Sequence, residues 1–220
     1  QQYPQQPPPA QQRPLLVPLA GAPAWQAEVR SVMAELIAAL PANHQAKVRG
    51  IPLAFDPNPF EINAFAGCDD NGAPFMAGTQ GILEAFDAVS QTKATDELYG
   101  TQTYDAYCNA VMPKLAASDK ASAALPGGII PAQYWNAPQR WSRAHELFDE
   151  LVAFTFGHEL AHHYLGHTGC ANGQAMSAGP NPARLGHLLT AVLPGLNQPN
   201  EALADGAGAN NAMDAGRARM

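Results

Sequence analysis

The chain has 220 residues, 46% of them hydrophobic and 14% charged, with a formal net charge of −7, which bounds it to one ordinary globular domain with room for a proper core. The acidic balance, with no basic run or aromatic-interleaved patch to hold phosphates, excludes a nucleic-acid partner. No apolar run approaches the roughly 18–20 residues that cross a bilayer, which excludes a transmembrane segment.

Residues 1–14, QQYPQQPPPAQQRP, are a low-complexity Pro/Gln tract without the aliphatic content to pack. The leader is drawn at residues 1–20 and the folded domain at 21–220. A chain that opens on Gln reads as trimmed, and Pro/Gln linkers follow removed signals or anchored N-termini. An extracytoplasmic setting is therefore expected (periplasmic, secreted or lipid-anchored), with a membrane tether upstream of the leader.

Trp25, Val29, Val32, Met33, Leu36, Ile37 and Leu40 recur at helical spacing and predict a core helix that Pro41 closes. Short strands are predicted over residues 48–55, 61–65 and 75–79, separated by turns at Asp56-Pro57-Asn58-Pro59 and at residues 68–72. Ile82, Leu83, Phe86 and Val89 then resume helical spacing. From residue 90 to 136 the signal weakens to a helical fragment near 101–115 and a loop at Pro126-Gly127-Gly128, and it assigns no role. Asn136 and Gln139 offer a capping-box start for a long helix that Gly166 ends.

That helix carries the arrangement hardest to explain as packing. His158, Glu159 and His162 form an HExxH, which places two imidazoles at i and i+4 on one face with a carboxylate beside them. Leu147, Leu151 and Phe154 precede the histidines at helical spacing, so the pair is expected to continue an apolar stripe and point inward. Buried imidazoles need partners, and a shared metal ion satisfies both. A catalytic zinc commonly takes a third protein ligand and keeps one open position. The metzincin continuation fails, because Leu165 and Thr168 stand where Gly and His are required. The other common solution is Glu on a second helix with Asp one turn later, and residues 200–205 read NEALAD. Glu201 is the expected third ligand, and Asp205 the group that accepts a hydrogen bond from a ligand histidine and fixes its tautomer. Gly206 and Gly208 suit a close approach of that helix to the HExxH helix.

HELAHHYLGHT followed by ExxAD resembles the gluzincin zinc metallopeptidase family of the CAAX prenyl endopeptidases and the HtpX heat-shock protease. Asn63-Ala64-Phe65-Ala66 resembles that family's NAFA element, and residues 75–83, FMAGTQGIL, its strand leading into a TxGLL helix. The similarity spans about residues 50–210. Ala161 stands where the family usually has Gly, and the membrane spans of those two members are missing, which points to soluble relatives.

The resemblance implies a zincin-like metalloprotease domain: α+β, mainly helical, with a small β-sheet over the active-site helix. It implies one Zn2+ per chain on His158, His162 and Glu201, and a polypeptide substrate. Glu159 is then the general base for a zinc-activated water. The strand at Phe75, Met76 and Ala77 resembles the one that borders the cleft in zincins, so an extended peptide is expected on its free edge. His167 matches the GHT element and supports the site or contacts substrate. His163 is read as surface or packing. For the anion-stabilising group Tyr164, His167, His187 and upstream tyrosines stay open, and His187 and Arg184 lie near a short helix expected at 185–193. Cys68, Cys108 and Cys170 have no metal-ligand spacing, and the pair that bridges, if one does, is not readable. Two rivals remain: a metal-holding, non-proteolytic interaction module, and a zinc hydrolase of non-peptide substrates.

Overall fold

The computed structural model describes residues 14–170 and 198–219. Residues 1–13 of the leader, and His187, Arg184 and the helix expected at 185–193, lie outside the described residues. The fold is α+β and mainly helical. Chain order runs α1 (Ala22–Ala39), α2 (Ala42–Val48), β1 (Leu53–Asp56), β2 (Ala64–Cys68), β3 (Pro74–Thr79), α3 (Gln80–Tyr99), α4 (Thr103–Ala117), α5 (Ala132–Trp135), α6 (Pro138–Leu165) and α7 (Gln198–Ala218). No helix among the described residues is long and apolar enough to cross a membrane.

The 28-residue α6 is the axis of the molecule, with α1, α2, α3, α7 and the sheet packed around it. Its core-facing stripe is Phe148, Val152, Phe156, Leu160 and Tyr164, all buried. The expected stripe of Leu147, Leu151 and Phe154 is therefore off by one position, about 100° around the helix. Leu147 and Leu151 are half-buried and Phe154 is exposed. Gly166 ends α6 as expected, at φ +82° in the left-handed region, with its N–H turned back to the His162 and His163 carbonyls. The start differs: Ala137 is the N-cap without a side-chain bond, and Pro138 occupies the first turn, where its missing N–H costs nothing. Pro41 likewise ends α1 but also opens α2, so the strand expected from residue 48 begins only at Leu53.

The sheet order is β1-β3-β2, with β3 parallel to β1 and antiparallel to β2. Strand β3 is thus the centre of the sheet, which corrects the expectation that residues 75–79 have a free edge. The edge facing the site belongs to β2. Side chains alternate across the sheet as the pleat requires. Phe75 and Ala77 pack with Phe65 on the outer face, while Met76 joins the core under α6. All three expected contact residues, Phe75, Met76 and Ala77, are at most 2% exposed, so none of their side chains meets a substrate.

Residues 14–20, expected within the leader, lie against α6. The Leu16 N–H donates to Ser142 Oγ at 3.0 Å, and Leu19 is buried. The region 90–136, without a role in the sequence, is built as the second half of α3, then α4 on α3, around Ala88, Tyr107 and Val111. It is pinned to α6 by the fully buried Arg140, whose guanidinium donates to the Tyr134 and Trp135 carbonyls and to Gln91 Oε1.

Cys68 and Cys170 form a disulfide across 102 residues of sequence, joining the end of β2 to the segment that leaves α6, while Cys108 is free. Closing so long a loop restricts the unfolded chain by about 4–5 kcal/mol. A strong reductant is expected to lower Tm by several degrees, and Cys170→Ser should show the same loss without reductant. An unchanged Tm in both would refute the entropic role.

Candidate metal site

The close approach of α7 to α6 makes the site. Gly157 and Gly208 face each other where the helices cross, and a Cβ on Gly208 would fall 2.7 Å from the His158 backbone nitrogen. Gly206 has nothing near it, so of the two expected small positions only Gly208 sets the approach. With Ala161 also fully buried, His158 and His162 flank this crossing and are half-buried rather than inward-pointing.

At the crossing, His158 Nε2 lies 3.0 Å from His162 Nε2, 3.2 Å from Glu201 Oε2, and His162 Nε2 lies 3.4 Å from that same oxygen. A four-coordinate ion with bonds of about 2.0–2.1 Å sets neighbouring ligand atoms roughly 3.3 Å apart. The three atoms form that triangle, and the group can hold a metal ion.

Proton bookkeeping leaves a place for a cation. Asp205 Oδ1 is 2.9 Å from His158 Nδ1; a carboxylate only accepts, so Nδ1 carries a proton and, in the neutral ring, Nε2 presents a lone pair. That lone pair faces Glu201 Oε2, which presents another. One proton on His162 Nε2 can serve either neighbour, and the His158–Glu201 contact is then relieved by a second proton, on His158, or by a cation shared by all three atoms. His162 Nδ1 meets His167 Nδ1 at 3.2 Å. With the His162 lone pair on Nε2, its Nδ1–H donates to His167. Each imidazole of the triangle therefore has its own partner on its other nitrogen, Asp205 for His158 and His167 for His162. His167 sits at the site as support.

Glu159 lies beside the triangle, its Oε1 3.9 Å from His158 Nε2. Burial, opposed by a hydrogen bond from the Ala66 N–H and reinforced by the charge of Glu201, pushes its carboxyl up to about 8. His162 is held below the ordinary imidazole value, chiefly by burial, which keeps it neutral and able to ligate.

Sequence reasoning missed how the sheet is fastened to this helix. His163, read only as surface or packing, is buried and donates from Nε2 to the Phe75 carbonyl at 2.9 Å. Burial lowers its pKa, so it stays neutral and locks the central strand to the turn of α6 that carries His162. Its place directly after His162 was the available signal, since the neighbour of a ligand on a helix faces a different element.

Comparison with family models, with curated proteins and with solved structures found no match. The functional reading rests on the chain's own residues.

The Asp205 contact gives a direct prediction. Asp205→Asn keeps the shape but removes the charge that fixes the His158 tautomer, and it should weaken metal affinity by roughly 10–100-fold with the fold unchanged. Isothermal titration with Zn2+ measures this; unchanged affinity would reduce Asp205 to a surface acid.

Proposed function

We propose that the protein is a zinc-dependent endopeptidase of zincin-like architecture, a soluble relative of the gluzincins its motifs resemble. The observation that carries the reading is the convergence of His158, His162 and Glu201 on one point, with Glu159 beside it. A purely structural metal needs no further half-buried carboxylate beside its three ligands. Two imidazoles and one carboxylate are a donor set suited to zinc. When bound, zinc supplies Lewis acidity and lowers the pKa of a coordinated water.

The remaining chemistry belongs to the chain. Glu159 takes a proton from the attacking water and returns it to the leaving amine. A dication beside Glu159 draws its carboxyl down from the raised value of the metal-free site, so the base is ionised when needed. Asp205 and His167 hold the ligand rings in register.

An extended polypeptide fits the free edge of β2. The Thr79 N–H donates to the Asn63 carbonyl and the Asp69 N–H to the Ala73 carbonyl, so ladder pairing falls on odd-numbered residues and Ala64, Ala66 and Cys68 turn their backbone groups outward. The Ala66 N–H reaches Glu159; the outward groups of Ala64 and Cys68 offer hydrogen bonds to a substrate strand. Phe60 and Ile62, both exposed just before β2, offer apolar contacts to its side chains. The disulfide supports an extracytoplasmic setting.

The test is metal-dependent cleavage. Protein stripped with a chelator should lose hydrolysis of unfolded casein-like polypeptide and regain it with Zn2+. A stripped protein that still cleaves, or a zinc-loaded one that never does, would overturn the proposal.

A further inference from the structure

A second cluster lies upstream on the same helix, about 20 Å along α6 from the first. Glu28 of α1, His145 and Asp149 of α6 bring one ligand atom each into a common space. His145 Nε2 is 3.4 Å from Glu28 Oε2 and 3.7 Å from Asp149 Oδ1. His145 and Asp149 are more than nine-tenths buried.

Three features separate this cluster from an ordinary ion pair. The His145 Nδ1–H donates to the Val17 carbonyl at 2.7 Å, which fixes the tautomer and leaves the Nε2 lone pair facing the two carboxylates. A ligand histidine held by a backbone carbonyl through its other nitrogen is the arrangement metal sites use. Second, Asp149 Oδ1 is buried without a hydrogen-bond partner among the described residues, although Oδ2 accepts from Arg219 Nη1 at 2.8 Å. A buried, unpaired carboxylate oxygen aimed at a lone pair is costly unless a cation lies between them.

Third, the charges do not close. Arg219 is shared between Asp149 and Glu35 and Glu28 meets only the His145 imidazole, so among the described residues these three carboxylates have one guanidinium between them. A divalent cation matches the remainder. Protonating His145 supplies one charge and one Nε2–H, which at 3.4 and 3.7 Å makes no good hydrogen bond to either carboxylate. A cavity of about 470 Å³, lined by Asp149, Glu35, Arg219, Glu146 and Glu150 together with apolar residues of α1, α6 and α7, opens beside Asp149.

We propose that Glu28, His145 and Asp149 form a second metal site for a divalent transition ion, zinc or manganese, that fastens residues 14–19 and α1 to the upstream half of α6. The mixed nitrogen and oxygen donor set suits such an ion better than calcium or magnesium, which prefer oxygen alone. Because the first site sits on other residues of the same helix, the two sites can be lost independently.

The experiment titrates the chelator-stripped chain with ZnCl2 and MnCl2. The His158→Ala/His162→Ala variant, which has no imidazole ligand left at the first site, should still bind one equivalent and gain a few degrees of Tm on doing so. Adding Glu28→Gln should weaken that binding at least tenfold and remove the Tm gain. Asp149→Asn in the same background repeats the measurement if circular dichroism shows that Glu28→Gln disturbs α1. Absence of metal binding in the double-alanine variant would overturn the proposal. So would residual binding that neither Glu28→Gln nor Asp149→Asn weakens.

Discussion

Glu159→Gln is expected to abolish peptide hydrolysis while leaving metal and fold in place. The amide has the same shape, and its oxygen still accepts the Ala66 N–H that holds the carboxylate now. It cannot take a proton from water, so the rate on unfolded casein-like substrate should fall by about 10²–10⁴-fold, the usual contribution of a general base. Stability should move the other way in the metal-free protein. A carboxyl raised to about 8 from its ordinary value of 4.5 keeps its proton in the folded state while the unfolded chain loses it. The parent's stability therefore falls as pH rises from about 4.5 to 8, and the Gln variant lacks that dependence. Parallel assays on a small ester separate the rivals. Ester turnover without protein cleavage selects the non-peptide hydrolase. Zinc bound with no turnover of either substrate selects the binding module, and equal cleavage by parent and variant removes Glu159 from the mechanism.

What the sequence made legible follows the range of the signals involved. HExxH is read by i, i+4 spacing within one helix, and Gly166 marks the helix end through a local backbone requirement. Both were found. Glu201 and Asp205 were reachable because one turn of a second helix repeats the same short-range rule, and the structure brings both to His158. Long-range pairing was not legible. β3 became the central strand because β1 joins it in parallel from before the β2–β3 hairpin, and no residue in the strand announces how many neighbours it has. The disulfide partner of Cys68 was unreadable for the same reason. The stripe of α6 was misplaced by one residue because its C-terminal half is buried on two faces: Phe156 and Leu160 meet the core, while Gly157 meets Gly208 of α7 and Ala161 beside it is fully buried too. A single-face template then fits two registers. Glu28 with His145 and Asp149 unites residues of two helices and a carbonyl from a third segment, which spacing alone does not show.

The second large effect is expected from a residue that touches no substrate and ligates nothing. Gly208→Val should destroy the first metal site by moving α7 as a body. The added Cβ would lie 2.7 Å from the His158 nitrogen, 2.9 Å from its Cα and 3.0 Å from the Gly157 carbonyl carbon, all backbone atoms of α6. No rotamer relieves such a clash, so α7 must retreat or tilt. Valine's branches widen the gap, and α7 carries Glu201 and Asp205 about two and one turns upstream, respectively. Displacing that helix removes the third ligand and the partner of His158 together, whereas His158, Glu159 and His162 stay on an unbroken α6. Loss of two such contacts should weaken Zn2+ binding at this site at least 100-fold and remove cleavage with it. Overpacking of this kind also costs stability, about 1–3 kcal/mol, so the measurement must be made where circular dichroism shows the variant folded. Gly206→Ala is the matched control: it lies on the same helix two residues away with open space around it, and it should bind Zn2+ as the parent does. If Gly208→Val and Gly206→Ala hold zinc equally well, the helix crossing does not position the third ligand, and Glu201 cannot be the residue that completes the site.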